Sequence, residues 1–206
     1  MMVRVKICGI TNKEDALCAF TAGADALGFV FATSPRRVSL DQAFEIIRLV
    51  PPFVQTVGVF ADSEIEEVIF FRNHLKLDLI QLSGNEDNDY VRAIGPRVIK
   101  SVHVTNGTEP VLDEHESATI LFDTSCRGLK GGTGTTFDWG LAAKAAVSRP
   151  VILAGGLTPE NVVDAITKVR PYAVDVSTGV EIKPGRKDHE KIKCFIQRAK
   201  TAGFDA

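Results

Sequence analysis

Cys8 and Asp123 are the residues in this chain that packing alone explains least well. Each ends a short apolar run, residues 3–8 and 118–123, so each sits where an otherwise apolar strand meets whatever lies at its C-terminal end. A thiol of pKa ~8.5 becomes a general base once its surroundings lower that value. A carboxyl becomes a general acid where an apolar strand end and a nearby phosphate raise its pKa. The ordinary alternatives are a small buried hydrophobe for the cysteine and a helix-capping or loop-bracing carboxylate for the aspartate. Gly155, Gly156, Ser177, Thr178 and Gly179 form a second group, in the turns after two later apolar runs. Small residues let backbone N–H groups approach an anion, although the same residues also make plain tight turns. One base, one acid and a phosphate cradle together suit proton shuttling on a phosphorylated substrate, such as a sugar isomerisation.

These residues need a scaffold that gathers strand ends. Strand-like runs occur at 3–8, 26–31, 55–60, 78–82, 97–102, 118–123, 151–154 and 173–176. Helical patterns fill most of the gaps. Thr11 with Glu14, Ser39 with Gln42, and Ser63 with Glu66 have capping-box spacing, and Gly23 closes the first helix. A helix is expected over 88–95. Gly131-Gly132-Thr133-Gly134 precedes one over 137–147. Thr158 caps another that begins at Pro159 and reaches residue 170. The last spans 188–202, with Ile192, Phe195, Ile196 and Ala199 at helical spacing. Residues 105–117 are polar and weakly patterned.

Eight strands alternating with helices predict a parallel α/β sheet with helical crossovers. The alternatives are a closed (β/α)8 TIM barrel and an open doubly wound sheet. No strand is followed by G-x-G-x-x-G and no Walker A pattern occurs, so the barrel is the expectation, as one domain over 1–206. The chain's 206 residues are few for a barrel of ~250. A mean strand-to-strand spacing of about 24 residues still leaves room for a strand, a helix and two short loops. In such a barrel the turns after strands seven and eight are the recurrent phosphate site.

Composition excludes other classes. Lys plus Arg is 24 against 26 for Asp plus Glu, a net charge of -2, so neither nucleic acid nor an anionic membrane is an expected partner. No apolar run approaches a membrane span, and the N-terminus lacks a signal-peptide core, so a cytoplasmic protein is expected. Four scattered cysteines and four scattered histidines have no metal-ligand spacing, so no metal and no other cofactor is expected. The helices have solvated outer faces, consistent with a monomer.

Longer motifs carry a resemblance. They include Lys6-Ile7-Cys8-Gly9-Ile10-Thr11, Gly28-Phe29-Val30-Phe31, Ser34-Pro35-Arg36, Phe122-Asp123-Thr124 and Ala154-Gly155-Gly156-Leu157-Thr158-Pro159. The last is Asp175-Val176-Ser177-Thr178-Gly179-Val180-Glu181. Over all eight units the chain resembles the phosphoribosylanthranilate isomerase family of tryptophan biosynthesis. The resemblance implies an Amadori rearrangement of a small phosphorylated aminosugar, with Cys8 as general base and Asp123 as general acid. It implies that Arg36, rather than Arg37, binds the anthranilate carboxylate, a planar target that suits a guanidinium fork. It also implies that Asp175 positions the anthranilate side, and that Gly155, Gly156, Ser177, Thr178 and Gly179 hold the phosphate. Ser83 departs from the family pattern, which has histidine after Gln81-Leu82. Cys8 argues against the histidine-pathway isomerase, which resembles this family in fold but has an aspartate there. Ser83 keeps open a catalytically silent, ligand-binding barrel. Cys126, three residues past Asp123, is read first as a solvent-exposed loop thiol, with a redox-sensitive link to Cys8 as the alternative.

Overall fold

In the computed structural model, residues 2–103, 118–123 and 139–202 are described, without the side chains of His103 and Leu141. The barrel strands are β1 (Arg4–Cys8), β2 (Ala26–Val30), β3 (Gln55–Phe60), β4 (Leu79–Leu82), β5 (Val98–His103), β6 (Thr119–Asp123), β7 (Val151–Ala154) and β8 (Ala173–Val176). The helices are α1 (Lys13–Thr21), α2 (Leu40–Ile47), α3 (Ile65–Leu75), α4 (Asn88–Ile94), α5 (Gly140–Ser148), α6 (Val162–Val169) and α7 (His189–Thr201). All eight strands are parallel and close in sequence order, with β1 paired to both β2 and β8. That closure decides against the open sheet, whose edge strands would each lack a neighbour. An antiparallel pair, β9 (Glu181–Lys183) and β10 (Arg186–Lys187), occupies the connection from β8 to α7, where no strand is predicted.

Strand side chains alternate between two cores. Outward-facing Ile7, Leu27, Phe29, Phe60, Ile120 and Phe122 are fully buried under the helices. Burying each such side chain stabilises the fold by roughly 1.5–3 kcal/mol. Inward-facing Val57, Ile99, Leu121, Ile152 and Ala173 fill the barrel, and Cys8, Val30 and Val59 form a separate small cluster. At the N-terminal end of the strands, Val57, Leu79, Ile99, Ile152 and Ala173 line a cavity of about 480 Å³. Phe53 lies at its rim and is 94% exposed.

The predicted helix starts have mixed outcomes. The Ser39–Gln42 capping box forms in both directions. The other two boxes do not form. Asn12 caps α1 by accepting from the Asp15 N–H, while the Thr11 hydroxyl donates to the Gly185 carbonyl. Glu64 precedes α3 without a side-chain cap, and the Ser63 carbonyl accepts from the Tyr90 hydroxyl. Thr158 does accept from the Glu160 N–H as a cap would, but the residues that follow form a turn and α6 starts only at Val162. Each misplaced cap residue lies in a βα connection, where a tertiary or turn hydrogen bond replaces the helical one. The predictions over 105–117, for the 131–134 loop and the helix start at 137, and for Cys126 lie outside the described residues. Among the described residues, no helix is long and apolar enough to cross a membrane.

Candidate active site

Strand periodicity places the first group. Lys6 and Cys8 are two apart on β1 and so share the barrel interior. Lys6 aligns with Asp175 on β8, and Cys8 with Gly28 on β2. The Lys6 ammonium lies 2.9 Å from Asp175 Oδ1, and both side chains are nearly excluded from solvent. Gly28 leaves the room they need: a Cβ there would lie 2.9 Å from Cys8 Sγ and 3.1 Å from Lys6 Nζ. Burial pushes the Cys8 thiol up, Lys6 and Lys187 pull it down, Asp175 opposes them, and the net pKa is raised. Burial also disfavours charge on Lys6, but Asp175 and Cys8 outweigh it and raise its pKa.

Gly9 joins this group to two more loops. Its φ of +77° is the left-handed region that glycine tolerates best. A Cβ there would lie 2.6 Å from Arg36 Cδ and 3.2 Å from Ser177 Oγ. The connections after β1, β2 and β8 therefore meet immediately beyond Cys8. Arg36 turns inward, donating from Nε and Nη2 to the two carboxylate oxygens of Glu181 at 2.8 and 2.7 Å. Arg37 is exposed. Lys187, with a fully buried side chain, donates to Glu181 Oε1 and to the Ser177 carbonyl, both at 3.1 Å. Burial pushes Glu181 up, yet Arg36 and Lys187 hold its pKa below the ordinary value. Burial lowers the pKa of Lys187.

The glycine-rich turns after β7 and β8 pack against each other. A Cβ on Gly179 would fall 1.9 Å from the Leu157 carbonyl oxygen, so only glycine lets the two backbones approach so closely. Gly155 and Gly156 have φ of +84° and +64°, and the space where a Gly156 Cβ would stand is open. Ser177 leads into a 3-10 turn over Thr178–Val180.

Asp123 ends β6, in register with His103 and Ala154. Across the interior, Gln81 donates to Ser83 Oγ at 3.1 Å and to Ser101 Oγ at 3.3 Å, and the two hydroxyls are 3.0 Å apart. Ser83 thus joins a polar patch rather than leaving a gap, and the buried Gln81 Oε1 has no hydrogen-bond partner among the described residues. Cys8, Arg36, Asp175 and Ser177 come together around Gly9 and Lys6, and Gly155, Gly156 and Gly179 adjoin them, while Asp123 enters from β6. Sequence reasoning missed Lys6, Glu181 and Lys187 as members of this group. Lys6 had a legible signal, because a charge two residues before Cys8 must share its face.

Polar groups gathered at the C-terminal ends of a closed parallel barrel make this a (β/α)8 barrel of the enzyme type. Comparison narrows the class. A family model for N-(5'phosphoribosyl)anthranilate (PRA) isomerase matches residues 5–198. The N-(5'-phosphoribosyl)anthranilate isomerase of Trichlorobacter lovleyi is 50% identical over 205 residues, covering 98% of this chain and 100% of that protein. The crystal structure of phosphoribosyl anthranilate isomerase from Thermotoga maritima superposes with a TM-score of 0.90 at 48% identity, covering 97% of this chain and 100% of that one. A phosphoribosyl anthranilate isomerase in complex with reduced 1-(o-carboxyphenylamino)-1-deoxyribulose 5-phosphate superposes at 0.87 with 47% identity, covering 97% and 100%. The chain belongs to the N-(5'-phosphoribosyl)anthranilate isomerase family.

Proposed function

We propose that this chain rearranges N-(5-phosphoribosyl)anthranilate to 1-(2-carboxyphenylamino)-1-deoxyribulose 5-phosphate, the isomerisation step of tryptophan biosynthesis. The observation that carries this reading is the junction over Gly9, where Arg36 and Ser177 meet from two loops next to Cys8 at the end of β1. The ligand named for the 47% identical relative, the reduced form of such a product, has a carboxylate, an amino-linked sugar-derived chain and a phosphate. Guanidinium, thiol and small-residue turns are the groups that would meet those three parts.

Asp123 acts as general acid, protonating the furanose ring oxygen so that the ring opens to a protonated Schiff base. Cys8 acts as general base and removes the C2 proton. The enolamine then becomes the ketone. Protons move and no electrons leave, so the steps call for no redox cofactor. Arg36 takes the anthranilate carboxylate. Glu181 engages its Nε and Nη2 edge, which leaves Nη1 and the second Nη2 proton to grip another carboxylate. Glu181 is therefore a positioning residue for Arg36. Asp175 serves the anthranilate side through the oxygen that does not contact Lys6. Gly155, Gly156, Ser177, Thr178 and Gly179 hold the phosphate, supported by the contact between their two turns and the open space over Gly156. The free thiols of Cys8, Cys18 and Cys194 agree with a cytoplasmic location.

Anthranilate derivatives fluoresce, so turnover of freshly made substrate is followed optically. The unmodified protein is expected to turn over that substrate and to rescue a tryptophan auxotroph lacking the isomerase. Asp123→Asn is expected to bind product with little change while kcat falls about 10²–10⁴-fold. Soluble protein without turnover or rescue would leave a silent binding barrel as the better reading.

A further inference from the structure

We propose that Lys6, held in place by Asp175, is the positioning residue that makes Cys8 usable as a base: a fixed ammonium inside the barrel that favours the thiolate. This rests on the reading of Cys8 as the base. Three observations carry it. Lys6 and Cys8 share the interior face of β1, and Lys6 aligns with Asp175 on the neighbouring strand. The side chains of Lys6 and Asp175 are only 4% and 9% exposed, with 2.9 Å between their charged atoms. Cys8 Sγ and Lys6 Nζ both crowd the position where a Gly28 side chain would begin, 2.9 and 3.1 Å from its Cβ, so sulfur and ammonium close on one spot.

An ion pair withdrawn from water is expensive, and well-packed apolar residues of the same volume often stabilise a core as well or better. Folding alone therefore gives little reason for a lysine in the barrel beneath the thiol. Charge balance supplies one. Among the described residues, the charged groups that act most on Cys8 are Lys6 from β1, Asp175 from β8, Lys187 from β10 and Arg36 from the β2–α2 connection. Glu181 pairs with both Arg36 and Lys187. Within this group of described residues, three cations and two carboxylates leave one positive charge over, and a thiolate at Cys8 cancels it once its proton has left to solvent. Arg36 and Lys187 are both engaged by Glu181. Lys6 is the cation that closes on the same Gly28 position as the sulfur, and it pulls the thiol down more than Lys187 does.

The test is the pH dependence of Cys8 alkylation by iodoacetamide, quantified by mass spectrometry of the Cys8 peptide so that other cysteines do not interfere. It is run on the intact protein and on Lys6→Met, Lys6→Gln, Lys6→Arg and Asp175→Asn, each checked for folding by circular dichroism. Lys6→Met is expected to raise the midpoint by about one unit or more, the usual effect of removing a close opposite charge. Lys6→Arg is expected to keep most of the wild-type midpoint. Asp175→Asn, which removes the opposing carboxylate, is expected to lower it, a direction that merely loosened packing would not produce. In turnover, Lys6→Met is expected to lower kcat about 10-fold or more with KM little changed. An unchanged midpoint in folded Lys6→Met overturns the proposal, and Lys6→Gln decides by the same criterion if the methionine variant does not fold. Full activity in Cys8→Ser alongside a shifted midpoint would instead sink the base reading.

Discussion

At the N-terminal end of the strands, Arg4 and Lys200 pair with Asp25 near solvent, where the Arg4 side chain is 59% exposed, and an open cavity leads into the barrel. Midway along β1, Lys6 lines the inner end of that cavity and pairs with Asp175, and beyond it at the C-terminal end Glu181 pairs with Lys187; all four side chains are almost wholly withdrawn from water. Both ends are built from the same eight strands and both carry ion pairs. Near solvent, such pairs contribute little and are inexpensive to form. Inside, their desolvation is substantial, so stability alone is a weak account of them. Open volume is thus a poor guide to the chemistry in this barrel, and buried charge is a better one.

Substitutions at the two ends should separate activity from stability. The largest effect is expected from Cys8→Ala: kcat falls about 10²–10⁴-fold, while the thermal midpoint moves little. Wild-type rates in that variant would erase the difference between the ends. Gly179→Ala is expected to cost about 3 kcal/mol in denaturant unfolding, because its Cβ would meet the Leu157 carbonyl oxygen and backbone has nowhere to retreat. Arg36→Lys is expected to raise KM about 10-fold with kcat nearly unchanged, since an ammonium cannot serve Glu181 and a second carboxylate with paired bonds.

Asp25→Asn probes the other end. Burial pushes the Asp25 carboxyl up, but Lys200, Arg4 and the Val5 N–H outweigh it and lower its pKa. A depressed carboxyl contributes stability above its unfolded value of ~3.9 and loses it as pH falls through the folded value. The asparagine variant should therefore be about 1 kcal/mol less stable at neutral pH, with a flatter stability curve on the acid side and unchanged kcat. Equal acid sensitivity in both proteins would show that Asp25 is not a source of it. The smallest effect, under ~0.5 kcal/mol and none on turnover, is expected from Lys13→Ala, whose pair with Glu45 is exposed on both sides.

Much of this was legible in the chain, and the failures have local causes. The strands were placed to within a residue or so because apolar runs bounded by turn residues need no long-range information. The Ser39 cap was right because both partners lie within one turn of helix. The Thr11 and Ser63 caps failed because Thr11 is claimed by Gly185 and the Ser63 carbonyl by Tyr90, residues far along the chain. The β9–β10 pair escaped notice because strands of three and two residues carry almost no periodic signal.

The sequence by itself determined the alternation of strand and helix, the likeness to the isomerase family, and the positions of Cys8, Asp123 and the glycine-rich turns at strand ends. All of these are written in neighbouring residues, where period, turn chemistry and motif spacing act. Only the tertiary structure decided which charges face one another. Lys6 and Asp175 are 169 positions apart, and Arg36 and Glu181 are 145 apart. They meet because the closed barrel aligns β1 with β8 and folds the connection after β8 over Gly9. Side-chain pairing across a barrel depends on register and closure, and neither is a property of any local stretch of chain.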